Sequence, residues 1–382
     1  MKTLIVPMAA MAETAGSFSR ARLLANALLE EGMKVGICCA KDINYSKIEG
    51  TVEYPLSVPM PLGLPGNIAK NMFPIAQKLG LTAKKNVGSF EEVLHLTGNT
   101  DYKYLNKSVS EIRTAIKEFR PDIVYSEFNI SAIIAARLEG KRLFISASVP
   151  TLPEYGRDPK FATGLNRLLA QNGLEPVESC MDVFEWAEKK FVPSIYELEP
   201  MEDSKVVYCG SLKTLREDED KKRDKILVYM GNGTVSMKKV LKEIPEAFKN
   251  TGYEVYIAGQ GLKEAEYDNI HTAPWFDFGE LLPESALFIN HGGQNSIIDG
   301  LIHKTPLLVC PGRVFERKYN AASIVKTGAG ISIDQYDFTA EKIKETADKI
   351  FSDDSYKTQA DILGRRLRQL GGVANIVREI KA

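Results

Sequence analysis

The chain has 382 residues, 44% of them apolar and 26% charged. That suits two or three globular domains at roughly 150 residues each and excludes disordered, fibrous and collagen-like polymers. Forty-nine basic residues against 50 acidic ones leave a net charge of −1, so no overall field draws the chain to nucleic acid or an anionic membrane. Five cysteines, with no CxxC pair and with Cys38 and Cys39 adjacent, fit buried strand positions in a reducing cytoplasm better than a disulfide framework.

No run reaches the ~18 apolar residues of a membrane-spanning helix. Thr3–Ala12 has the size of a secretory signal core, but one basic residue precedes it, Pro7 interrupts it, and a strand–loop–helix unit follows. It is read here as the first strand rather than a signal. Leu4–Met8 is an apolar run of strand length and Ala9–Gly16 is a loop of small residues. Phe18, Ala21, Ala25, Leu28 and Leu29 then recur at helical spacing until Gly32 stops them, and Lys34–Ala40 is the next strand. Such a βαβ start implies a parallel sheet. Residues 59–105 are less regular. Pro59, Pro61, Pro65 and Pro74 interrupt them, and Lys70, Lys78, Lys84 and Lys85 read as the charge of a solvated loop. The alternative is a mobile loop touching an acceptor or a membrane surface.

The strand–helix rhythm returns at Ile123–Glu127, Ile133–Leu138 and Arg142–Ala147. Leu215–Lys225 is almost wholly charged and reads as an exposed linker. Beyond it come the strand Ile226–Met230, the helix Lys238–Lys249, and the strands Tyr253–Ala258, Ala286–Asn290 and Pro306–Cys310. The expectation is an α/β protein of two doubly wound, Rossmann-like domains facing across a cleft, where ligands of such sheets bind. The boundaries are 1–215 and 226–362, a linker over 216–225, and a terminal helix over 363–382.

The segment 288–322, FINHGGQNSIIDGLIHKTPLLVCPGRVFERKYNAA, carries the chemistry. A strand ends at Asn290, and His-Gly-Gly makes a turn that backbone or ligand can approach closely. Gln294, Asn295 and Ser296 then open a helix. Free N–H groups, a positive helix end, small polar side chains and the His291 donor suit a diphosphate. Asp299, about one turn after Ser296, can accept from ribose hydroxyls. Glu316 and Arg317 start the following helix and can reach a sugar. His95, His271 and His303 show no partner pattern, and no cluster has metal-ligand spacing. There is no Walker loop, no GxGxxG after the first strand and no G-x-S-x-G elbow, which excludes kinases, NAD enzymes and serine hydrolases as readings.

The segment resembles the donor-binding signature of the GT-B nucleotide-sugar glycosyltransferases that use UDP- or dTDP-sugars. The matching positions are His291, Gly293, Asn295, Ser296, Asp299, Pro311, Glu316, Arg317, Asn320, Ala321, Gly328 and Gly330. Leu174–Val177 and Val207–Gly210 resemble the family's approach to its linker. The resemblance implies that Gly231, Gly233 and Thr234, in YMGNGTVS, face the diphosphate, and that the stretch holding Trp275 and Leu281–Pro283 lies against the base. It further implies that the terminal helix crosses back onto the first domain. The function implied is transfer of a sugar to a hydroxyl or amine of a small-molecule or lipid-like acceptor, with inversion and without a metal or other cofactor. An epimerase on the same fold, or a non-catalytic donor-binding or activator protein, are the alternatives.

Three positions depart from the family. Its acidic–glutamine pair, which contacts the hexose, is Glu316–Arg317 here. Its general-base histidine corresponds to Ser17, after Gly16, and the partner aspartate corresponds to Glu127. A serine does not take a proton unaided at neutral pH, so the acceptor's proton needs a carboxylate. Glu127, at a rigid strand end facing the cleft, is preferred over Glu13 in the first βα loop. The competing role for Glu127 is capping the next helix or pairing with an arginine such as Arg137.

Overall fold

The computed structural model describes residues 1–9, 15–42, 45–61, 87–213, 221–231 and 234–382. Glu13, Gly233, most of the basic proline-rich stretch and the centre of the charged linker lie outside the described residues.

The first domain is built on a seven-stranded sheet. Its strands are β1 (Lys2–Pro7), β2 (Lys34–Cys39), β3 (Val52–Pro55), β4 (Ile123–Glu127), β5 (Arg142–Ser146), β6 (Lys189–Val192) and β7 (Val206–Tyr208), in the order β3-β2-β1-β4-β5-β6-β7. All these pairings are parallel. A parallel sheet needs helices on both faces, which is why its strands are apolar end to end rather than alternating; Leu4, Ile5 and Val6 are all fully buried. The helices are α1 (Ala15–Glu30), α2 (Phe90–Leu96), α3 (Tyr102–Phe119), α4 (Ile130–Leu138) and α5 (Thr163–Gln171). Thus part of the stretch read as irregular is helical: Ser89 and Asp101 cap α2 and α3 by accepting backbone N–H groups.

The second domain repeats the plan. Its strands are β8 (Lys225–Tyr229), β9 (Glu254–Ala258), β10 (Ala265–Tyr267), β11 (Ile270–Ala273), β12 (Ser285–Asn290), β13 (Leu307–Val309) and β14 (Gly330–Ser332), in the order β10-β11-β9-β8-β12-β13-β14. Only the β10–β11 edge pair is antiparallel among the described residues. Helices α6 (Met237–Phe248), α7 (Phe278–Leu281), α8 (Gln294–Ile302), α9 (Phe315–Thr327), α10 (Ala340–Ser352) and α11 (Ser355–Gln369) cover it.

The chain end departs from the single helix expected over 363–381. Gly371, at φ +81°, breaks it, and α12 (Gly372–Lys381) forms a separate helix. Its Ile376, Val377 and Ile380 pack with Ile5, Leu24 and Leu28, so the last residues complete the core of the first domain. The linker also differs at its far end. Arg223 is anchored, donating to the carbonyls of Ser285 and His303 and to the Thr305 hydroxyl.

Candidate functional site

Strands β8, β12 and β13 end side by side, and the turns after them shape one pocket. Asn290 closes β12 and its Oδ1 accepts the Gly292 N–H at 2.8 Å; Asn320, from α9, donates its Nδ2 to the Gly292 carbonyl at 2.8 Å. These two buried amides hold the His-Gly-Gly turn and place Gly293 at the start of α8. The His291 ring fits between two glycines. A Cβ on Gly231 would lie 3.0 Å from its Cε1, and a Cβ on Gly293 only 2.7 Å from its Nε2. Gly231 also has φ +54°, which disfavours a side chain.

His291 Nδ1 faces the Tyr229 carbonyl at 3.4 Å, and the two rings meet edge to face at 5.4 Å. Burial, followed by the nearby Arg317 charge, lowers the imidazole pKa to about 3. At neutral pH His291 is therefore uncharged, and the positive character of the pocket comes from elsewhere. One source is the α8 N-terminus, whose first amides have no intrahelical partner; there Ser296 is buried and Asn295 is exposed. The other source is Arg317, whose Nη1 donates to Thr234 Oγ1 at 2.6 Å.

Several expected ligand contacts are redirected. Gln294 turns its side chain away from the turn and donates to Glu199 Oε1 at 2.7 Å, while the other Glu199 oxygen accepts from Ser148 Oγ and the Val149 N–H. Its contribution to the pocket is confined to its backbone. Both Asp299 oxygens accept from Lys213 Nζ, at 2.6 and 2.7 Å. Burial raises the Asp299 pKa against the opposing pull of Lys213. Arg317 runs to Thr234, while Glu316, its pKa raised by burial, sits within reach of Arg317 and of Arg20 and Glu199 of the first domain. Trp275, 71% exposed, presents a bare indole after β11.

In the first domain Ser17, near the start of α1, lies against Glu127 at the end of β4. The Ser17 hydroxyl donates to the Glu127 carbonyl at 3.0 Å and accepts from the Met8 N–H at 3.2 Å, so it ties α1, β1 and β4 together. Glu127 is only 1% exposed. Its Oε1 accepts from Arg20 Nε at 2.6 Å and its Oε2 from the Ser146 hydroxyl, which also meets Tyr125 Oη at 2.9 Å. Glu127 thus pairs with an arginine, as in its competing role, but with Arg20; Arg137, the example considered for that role, lies over Trp186. Sequence reasoning missed Arg20. The signal was its place three residues after Ser17, one helical turn along the face that α1 turns to the cleft.

The pocket lies between the domains. Val87 pairs with Val314 in a parallel bridge, and the Phe315 N–H donates to the Val87 carbonyl at 3.1 Å. The Leu198 carbonyl accepts from Tyr319 Oη and Ser323 Oγ at 3.0 and 2.9 Å. Helix α9 is thus gripped by the first domain at its start and along its side. The remaining histidines serve elsewhere: His95 packs on Phe161, His271 stacks on Tyr256 beside Glu254, and the His303 carbonyl holds Arg223. No group of three or more His, Cys, Asp or Glu could hold a metal ion among the described residues, and no helix among them is long and apolar enough to cross a membrane.

Residues 258–369 match the family described as the erythromycin biosynthesis protein CIII-like C-terminal domain. The demethyllactenocin mycarosyltransferase of Streptomyces fradiae is 25% identical over 155 residues, 39% of this chain and 33% of that protein. The NDP-glycosyltransferase YjiC of Bacillus licheniformis is 26% identical over 171 residues, 43% of this chain and 42% of that protein. These alignments therefore span less than half the length of either relative. Across the whole chain, the crystal structure of the kitacinnamycin glycosyltransferase superimposes with a TM-score of 0.76 at 18% identity, covering 100% of this chain and 98% of that one. The whole chain therefore has the fold of the GT-B glycosyltransferase structures, and its second domain is similar in sequence to these glycosyltransferases.

Proposed function

We propose that the protein transfers a sugar from a UDP- or dTDP-sugar to a hydroxyl or amine of a small-molecule or lipid-like acceptor, inverting the anomeric centre in one displacement without a metal. One observation carries the reading. His291, Gly231, Thr234, the α8 N-terminus and Arg317 converge at the carboxyl ends of β8 and β12, next to the contact with the first domain. Backbone amides and a guanidinium directed at one point suit a diphosphate whose charge grows as it leaves. Trp275 offers a face for the base, and Glu316 stands on the cleft side for the sugar. Because both Glu127 oxygens already hold donors, we assign the acceptor's proton to Glu13 and give Glu127 the role of fixing Arg20.

The test is a thermal-shift and calorimetry panel of UDP, dTDP and their sugars on the intact chain and on His291→Ala/Ser296→Ala. Ligands that bind only the native state raise its melting temperature with occupancy. Each charge-assisted contact is worth roughly 1.5–3 kcal/mol, so the double variant should bind the nucleotide more than tenfold more weakly while still folding. Unchanged binding would remove this segment from the donor site. The occupied Ser17 and Glu127 favour one second reading, a donor-binding protein without turnover. Acceptor-dependent release of nucleoside diphosphate separates the two.

A further inference from the structure

The Glu316–Arg317 pair divides its work. On the basis of the donor-site reading above, we propose that Arg317 is a ligand of the donor's diphosphate rather than of its sugar, and that it stabilises the departing nucleoside diphosphate, leaving Glu316 alone on the hexose.

Geometry carries the assignment. Arg317 lies in the first turn of α9, directly behind the His-Gly-Gly turn: a Cβ on Gly292 would meet the Arg317 carbonyl at 3.0 Å and its Cβ at 3.5 Å. From there the side chain runs toward the glycine loop after β8, where its Nη1 donates to the buried Thr234 hydroxyl at 2.6 Å. Its charge reaches the His291 imidazole and helps hold it neutral. The guanidinium therefore belongs with Thr234, Gly231 and His291. Glu316 lies beside the Arg317 charge and beyond it meets Arg20 and Glu199 of the first domain and the Gln294 amide, none of which belongs to the Thr234 side.

Chemistry supports the same division. A guanidinium carries five N–H donors in a planar fork that matches phosphate oxygens. Burial lowers the Arg317 pKa, the mark of a charge held out of water, and a desolvated cation gains most from an incoming anion. In the displacement, a lone pair of the acceptor forms the new bond to the anomeric carbon while the bond from that carbon to the diphosphate oxygen breaks. The bonding pair stays on that oxygen, so the diphosphate gains one negative charge. The acceptor's proton passes to a cleft carboxylate, and Arg317 neither gains nor loses one. A neutral glutamine at this position cannot offset the charge that develops.

The experiment compares Arg317→Gln, Arg317→Lys and Glu316→Gln in calorimetry with uridine, UDP and UDP-glucose, and with thymidine, dTDP and dTDP-glucose. The expected result for Arg317→Gln is a loss of more than tenfold for the diphosphates, with the nucleosides within twofold and the loss for the sugar nucleotides no larger than for the bare diphosphates. Arg317→Lys should recover part of the loss, since it restores charge without the fork. Glu316→Gln should weaken only the sugar nucleotides. Independently of ligand, Arg317→Gln should raise the His291 pKa in an NMR titration, a readout that serves even if that variant melts early. Arg317→Gln that binds diphosphates normally but loses the sugar nucleotides would overturn the proposal, as would an unmoved His291 pKa. Should the unaltered chain bind none of the nucleotides, the donor-site reading fails with it.

Discussion

His291 shows how a residue's chemistry is set by what surrounds it. The sequence offers a histidine after a strand, read as a hydrogen-bond donor to a diphosphate, with its protonation left open. In place, the ring is enclosed by Gly231, Gly293 and Tyr229, and its pKa falls to about 3 from an ordinary value near 6.5. The unfolded chain therefore binds more protons than the folded one between those two values. By linkage, stability rises with pH across that window: the contribution is fully present above about pH 6.5 and is lost as pH falls toward 3. We expect His291→Asn to flatten this part of the stability–pH curve, read by urea unfolding at pH 7 and pH 4.5. An equal pH dependence in the variant would show that the imidazole is not the group responsible. The position of His291 was legible from the motif, but its protonation was not, because desolvation depends on neighbours brought from β8.

At the scale of elements, α1 and β4 are joined by the Arg20–Glu127 ion pair and by Ser17; Ser17 and Glu127 are the two positions that the family resemblance aligns with its base and the base's partner. The strand end was readable from the βαβ pattern. The pair was not, because an arginine at one turn of an amphipathic helix reads as an ordinary surface residue until the helix is docked. Two consequences separate a joint from a base. Glu127→Gln removes a charge-assisted hydrogen bond and should lower unfolding free energy by about 1.5–3 kcal/mol, with turnover reduced only in proportion to the folded fraction. Glu13→Gln should leave stability unchanged and cut turnover by about 10²–10⁴, the usual contribution of a general base. If the losses fall the other way round, Glu127 is the base and Glu13 a loop residue.

Across the whole molecule, the two domains meet at several places among the described residues, the Val87–Val314 bridge included. α12 returns to the first domain's core, Leu198 and Glu199 grip α8 and α9, and Lys213 holds Asp299. Stability of the first domain thus depends on the last residues of the chain. Ile380 is fully buried among α1 and β1 side chains, and truncating such a residue to alanine costs roughly 2–5 kcal/mol. Ile380→Ala should lower the transition of the first domain in calorimetry while nucleotide binding by the second domain persists at temperatures below it. An unaltered first transition would mean that α12 rests on the surface without contributing to the core.

The fold class was determined by the sequence alone. Two series of strand-length apolar runs alternating with helical periodicity allow only parallel sheets covered on both faces, and the His-Gly-Gly turn before a helix marks where an anion would sit. These signals are local, set by backbone propensity, side-chain period and the free amides of a helix start. Which side chains face the ligand was decided only in the tertiary structure. Gln294 turns to Glu199, Asp299 to Lys213, Glu127 to Arg20, and Arg317 to Thr234. Each of these partners lies far away along the chain or on another element, and buried polar groups take whichever complementary group the packing brings within reach. That choice is made when the elements dock, so it is recorded in the contacts between elements and not in any one segment of the sequence.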